Sequence, residues 1–149
     1  MASTAVSQLI FFIAAILIAS AVVGVLLGAA NDLSEGIEGR SGSLSDSLRA
    51  DIAIINDPVA MPYNATNQTL TLYVLNVGSI TLDVGGARAF VNGSFANNTT
   101  VYVEGGGLWR PDSVLVMHLH GTALTSGQDA LASVVASHGV TSRIEFTVP

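Results

Sequence analysis

The chain has 149 residues, eleven acidic side chains against five basic ones, and a net charge of −6. All five cations are arginines set singly at Arg40, Arg49, Arg88, Arg110 and Arg143, so the clustered positive charge that nucleic acid or anionic lipid requires is missing. Cysteine is absent, which excludes disulfides, a thiolate nucleophile and cysteine metal ligands.

No charged side chain precedes Asp32. Residues 9–30, LIFFIAAILIASAVVGVLLGAA, are almost wholly apolar. As a helix they span about 33 Å, which matches a hydrocarbon core of roughly 30 Å. A cleaved secretion signal wants a basic leader and a shorter apolar run. Here the leader MASTAVSQ has neither Lys nor Arg. Gly28, Ala29 and Ala30 offer small residues at cleavage positions, but the length and flanks predict that the segment is retained. It holds no ionisable group, so it supplies no proton or ion path of its own. Ser20, Gly24 and Gly28, each four apart, form a candidate helix-packing face, because small residues let two backbones approach closely. Residues 1–30 therefore read as a hydrophobic transmembrane or filament-assembly helix.

Residues 31–50 read as a polar helical stalk. Leu33, Ile37, Leu44 and Leu48 recur at spacings of four, seven and four, a single apolar stripe on a polar rod. Gly36, Gly39 and Gly42 each weaken a helix relative to Ala, which predicts a bend or interruption between Gly36 and Ser43.

From Asp51 the period changes to two. Strands are predicted at 51–55, stopped by Asn56-Asp57-Pro58; at 69–77, where TLTLYVLNV alternates clearly; at 80–84; and at 88–91. Asn92-Gly93 is a strong hairpin signal. Further strands follow at 100–103, 113–119, 130–136 and 141–148, the alanine-rich 130–136 being readable also as a short helix. In the last strand Ile144, Phe146 and Val148 fall on one face, and Arg143, Glu145 and Thr147 on the other. Short strands at roughly ten-residue spacing with Gly and Asn turns predict an immunoglobulin-like β-sandwich over 51–149. The fold class is thus mainly β, an α+β chain with an N-terminal helix and stalk.

Five Asn-x-Ser/Thr sequons stand at Asn64, Asn67, Asn92, Asn97 and Asn98. Each lies in a turn-like polar stretch, as a glycan acceptor must. Their density points to an extracytoplasmic domain, with the short N-terminus inside. No catalytic motif is present. His118 and His120 share a strand face, but no carboxylate accompanies them, so polar side chains on a solvent face are expected rather than a metal site. Gly105-Gly106-Gly107 lacks the Lys and helix of a phosphate loop and reads as a plain loop. Trp109 reads as core. No cofactor is implied.

The opening MASTAVSQLIFFIAAILIASAVVGVL, then LRADIAIINDP, then LTLYVLNVGSITLD resemble the ArlG (FlaG) family of archaellum accessory proteins. The resemblance covers the helix, the stalk and the first half of the β domain. It implies a protein of the archaeal cell envelope, with its helix in the cytoplasmic membrane and its sandwich outside, beside the rotating filament. It also implies a sister partner, ArlF, which contacts the surface layer, and a static anchoring role without enzymatic activity. Self-association, as a homo-oligomer or filament, is expected. The alternative is an archaellin- or pilin-like subunit of an extracellular filament, its helix packed in the filament core. Precursors of that class usually carry a basic-Gly processing site before the helix, and no Lys, Arg or Gly precedes Leu9 here.

Overall fold

The computed structural model describes residues 2–149 and their side chains from Thr4 onward. The chain divides into two compact units, one ending at Gly42 and the other running Ser43–Pro149.

Helix α1 occupies Ala2–Arg49. Its apolar stretch satisfies every backbone group internally, which is what a segment in lipid must do. Among the described residues it is one helix long and apolar enough to cross a membrane. Its large apolar side chains lie open, Phe11 at 81% exposure. Gly36, Gly39 and Gly42 do not interrupt it, contrary to the sequence-based expectation. Each costs roughly 1 kcal/mol against Ala, and the intervening residues and i→i−4 ladder outweigh that cost. The hydroxyls of Ser20 and Ser47 donate back to the carbonyls of Ile16 and Ser43, four residues earlier, at 2.8 and 2.9 Å.

The Ser43–Pro149 unit is a two-sheet antiparallel sandwich. Its strands are β1 (Ile52–Ile54), β2 (Tyr63–Asn64), β3 (Thr69–Asn76), β4 (Arg88–Val91), β5 (Ser94–Phe95), β6 (Thr99–Val103), β7 (Val114–His120), β8 (Asp129–Val135) and β9 (Thr141–Thr147). The first sheet is ordered β1-β3-β7-β6, with β2 paired to the start of β3; the second is ordered β5-β4-β8-β9. Period-two burial builds the core. Leu70, Leu72 and Val74 face inward from β3, and Leu115, Met117 and Leu119 from β7. The facing sheet answers with smaller residues: Ala89 and Val91, then Ala130, Ala132 and Val134. This pairing of large with small lets the layers close. Trp109 is wholly buried beside them, and its ring Nε1 donates to the Ser113 carbonyl at 3.2 Å.

Residues 80–84 do not form a ladder strand. Leu82 makes one isolated bridge to Trp109 and is otherwise a buried plug. The alanine-rich segment forms strand β8 over Asp129–Val135 and not a helix, with Ala136 just beyond it, because alternate alanines are needed under β3 and β7. The two-residue strands β2 and β5 and a 3-10 turn at Ser137–Gly139 are additions to the sequence-based reading. At the β4–β5 turn Asn92 and Gly93 have φ of 48° and 78°, the mirror-image turn that matches strand twist.

Two asparagines fix where the chain enters the sandwich. Asn76 is fully buried. Its amide donates to the carbonyls of Ile80 (2.9 Å) and Trp109 (3.1 Å), and its Oδ1 accepts from Gly78 N–H (3.0 Å). Gly78 N–H also donates to Asp51 at 3.0 Å, and Ser79 N–H to Arg49 at 2.8 Å. A Cβ on Gly78 would stand 2.5 Å from Asp51 N and 2.6 Å from Arg49 O. Glycine is what permits this approach. Asn56 extends β1 beyond its last residue, donating to Thr71 O (3.0 Å) and accepting from Tyr73 N–H (2.7 Å).

Candidate interaction surfaces

Two classes of surface stand out, the sides of α1 and the rim of the sandwich. On α1, Ser20, Gly24 and Gly28 form one narrow seam, and nothing would meet a Cβ added at either glycine. At about 100° per residue, Leu33 and Ile37 fall on roughly the opposite side of the helix. Leu33, Ile37, Leu44 and Leu48 are all exposed, Leu48 at 79%.

In the sandwich, β3 runs toward Asn76 and the entry point, β7 runs away from it, and β6 runs toward it. All five sequon asparagines are exposed; Asn64 ends β2 and the other four lie on connections, all at the end opposite that entry point. Asn64 closes an Asx turn, its Oδ1 accepting from the N–H of Thr66 and Asn67 at 3.0 and 3.2 Å. Asn92 Oδ1 accepts from Leu131 N–H at 2.8 Å. In both cases the amide nitrogen, the atom a glycan would occupy, is not the group used.

His118 and His120 stand on the outer side of β7, as expected. Their ring centroids are 6.4 Å apart. Each ring is held on both nitrogens by neutral hydroxyls: His118 by Thr71 (2.9 Å) and Tyr102 (3.4 Å), His120 by Thr69 (3.3 Å) and Thr100 (3.2 Å). The pair is thus woven into the sheet surface. Among the described residues no three His, Cys, Asp or Glu gather as metal ligands. Trp109 is core, and Gly105, Gly106 and Gly107 form a loop with φ of 78°, 79° and 92°.

Among the described residues the sandwich rim has five outer strands, β1, β2, β5, β6 and β9, of which β2 is two residues long. Strand β5 is two residues long and β1 three. The N–H groups of β1 that point away from β3 are capped within the chain, Ile52 by Asp51 Oδ1 at 2.9 Å and Ile54 by Ser142 Oγ at 3.0 Å. Strand β9 displays the exposed charges Arg143 and Glu145. Strand β6, Thr-Thr-Val-Tyr-Val, has no charge, no proline and an unbroken register with β7.

A long apolar N-terminal helix leading into an immunoglobulin-like sandwich is the architecture of this chain. The model of the archaeal-type flagellin family matches residues 2–146, and the chain belongs to that family. It is 37% identical to a flagella-related protein G of Methanococcus voltae over 143 residues, 94% of each chain. Its fold is similar to the archaellum periplasmic stator protein FlaG from Sulfolobus acidocaldarius, with a TM-score of 0.51, 21% identity, and coverage of 65% of this chain and 99% of that one. It is also similar to the archaeal flagellum of Methanospirillum hungatei, with a TM-score of 0.75, 15% identity, and coverage of 96% and 92%. The fold expectation of a helix plus sandwich and the family expectation both hold.

Proposed function

We propose that this chain is a static, membrane-anchored structural component of the archaellum machinery and has no enzymatic role. Residues 9–30 hold it in the cytoplasmic membrane, residues 31–50 set the sandwich off from the bilayer, and residues 51–149 lie outside. The sandwich binds an ArlF-like sister protein and, through it, the surface layer. The observation that carries this reading is the end-to-end kinship with a flagella-related protein G, joined to a helix that passes the length and composition test for a membrane span. The sequons at one end of the sandwich support an outside location, and we propose Asn64, Asn67, Asn92, Asn97 and Asn98 as glycan acceptors.

A second reading is a filament subunit with α1 packed in the filament core. It is favoured by the similarity to the Methanospirillum flagellum over nearly the whole chain, helix included. Detergent fractionation of native envelopes with intact-mass measurement separates the two. The anchored reading expects the chain in the membrane fraction at low copy, its mass raised in glycan-sized steps. Recovery as the dominant protein of sheared external filaments would overturn it in favour of the second.

A further inference from the structure

Sheet edges are hazardous because their unpaired backbone groups invite another strand, and proteins blunt them with charge, proline, bulges or brevity. Strands β1, β2 and β5 are blunted by brevity, and β9 carries Arg143 and Glu145 on its outer face, which leaves its backbone edge uncovered by them. Strand β6 carries none.

The hydrogen-bond parity of β6 follows from its ladder. Glu104 N–H donates to Val114 O and His120 N–H to Asn98 O, each at the same register sum. In an antiparallel pair, bonded and non-bonded residues alternate. The even residues 98, 100, 102 and 104 are therefore bonded to β7. The N–H groups of Thr99, Val101 and Val103 and the C=O groups of Thr99 and Val101 point outward, while the Val103 carbonyl already accepts from Gly106 N–H at 2.9 Å. Val101 is only half-buried although its side chain faces the core, so the seam beneath this edge is also left incompletely covered.

On the opposite rim, β9 has the same parity. Val148 N–H donates to Gln128 O, and Ala136 N–H to Val140 O. The even residues of β9 are thereby committed to β8, and Thr141, Arg143, Glu145 and Thr147 present their backbone groups outward.

Direction selects the partner. Strand β6 runs toward the end where the chain enters the sandwich, and β9 runs away from it. If α1 points every copy the same way, an antiparallel strand laid on β6 by a second copy must run away from that end. Strands β1, β2 and β9 do so, but β2 is only two residues long and the outward N–H groups of β1 are already capped by Asp51 and Ser142. The side-chain faces agree as well. Odd residues of β6 point into their own sandwich and odd residues of β9 point out of theirs, so a second copy displaced by one sheet thickness puts both sets on one face of the joined sheet. A β6–β6 pairing between copies would instead set their entry points at opposite ends.

We propose that β6 of one copy adds to β9 of a second copy, head to tail, as a heterologous interface between sandwiches. Such an interface does not close on itself in a dimer, and it generates a ring or an open array. Main-chain hydrogen bonds supply the attraction, and the uncharged β6 places no like charge against Arg143 or Glu145 in a chain of net charge −6. The inference rests on the reading that α1 orients all copies alike, in a bilayer or in a filament core.

The test uses the full chain in one detergent, with Val101→Pro and Glu145→Pro made separately. Each substitution removes an outward N–H and leaves the internal ladders intact, so melting temperatures should stay within a few degrees of the parent. Native mass measurement should show assemblies for the parent and their loss, by tenfold or more in apparent association constant, for each variant. Mixing the two variants should restore a single heterodimer and nothing larger, because one copy keeps β6 and the other keeps β9. Persistence of the assemblies in either variant, or a mixture that stays monomeric, overturns the proposal. Loss with Val101→Pro but not with Glu145→Pro overturns it too, and indicates β6–β6 pairing and copies not aligned. Hydrogen exchange on the unmodified chain is an independent check. The amides of Thr99, Val101, Val103, Arg143, Glu145 and Thr147 should be protected in the assembled fraction and exchange fast in the monomer; equal exchange in both would count against the pairing. Fractionation of native envelopes tests the anchoring role, so either result can fail without the other.

Discussion

Asn76 holds three backbone groups at once and does so with no access to water. Replacing it by alanine strands the carbonyls of Ile80 and Trp109 and the N–H of Gly78, and an unsatisfied buried group costs about 1–3 kcal/mol. Asn76→Ala should lower stability by about 3 kcal/mol, read by denaturant unfolding of the full chain with Trp109 fluorescence as the probe. A midpoint unchanged from the parent would mean the network is dispensable. Gly78→Ala acts by collision instead. Its new methyl would meet the backbone of Arg49 and Asp51, which no rotamer change can relieve, and a loss of about 2 kcal/mol is expected in the same assay. Both residues sit in the LYVLNVGS stretch that carries the family resemblance. As a pattern that stretch reads only as a strand followed by a turn. The work of Asn76 depends on Trp109 and that of Gly78 on Arg49 and Asp51, all far enough away in the chain that no local periodicity reports it.

At the scale of elements, the long strands were legible because each buries one face and exposes the other. Strands β3 and β9 show this alternation plainly in Leu70, Leu72 and Val74 and in Ile144 and Phe146, and β7 keeps it in Leu115, Met117 and Leu119 although Val116 between them is buried as well. The alanines of β8 were ambiguous, since Ala favours helix by intrinsic propensity, and only the bulk facing it from the other sheet decides for a strand. Residues 80–84 misled for the opposite reason: Ile80, Leu82 and Val84 alternate because they pack, while their backbone finds just one bridge. Strands β2 and β5 are too short to carry a period. The stalk glycines read as breakers, yet α1 continues through them. The stripe on that helix is a contact to be tested at this scale. Leu44→Asp combined with Leu48→Asp alters only exposed positions, so the sandwich should melt as before while assembly and motility are lost. Unchanged swimming and unchanged envelope complexes would show that the stripe meets nothing.

At the scale of the molecule, the candidate site is a set of surfaces and not a pocket, which explains how little of it could be read from residue types. The sequons and the apolar helix announce themselves in one dimension. Which strand lies at a rim, and which rim is undefended, depends on sheet order, and sheet order is set by pairings between distant segments. The grouping of Asn64, Asn67, Asn92, Asn97 and Asn98 at one end of the sandwich likewise belongs to the topology. If these are occupied, intact mass should fall by one glycan step for each Asn→Gln substitution while the melting temperature of the sandwich changes little. A native mass equal to the bare polypeptide would remove sugar from the account altogether.

The junction at Gly78 has a mechanical meaning. Arg49 and Asp51 give their carbonyls to Ser79, Gly78 and Val77, so no slack separates the last turn of α1 from β1. A load applied to the sandwich while the helix is held would reach these few hydrogen bonds before it reached the core. On the proposed static reading, a load strong enough to break the chain's hold would part these bonds first, and the sandwich would come away whole.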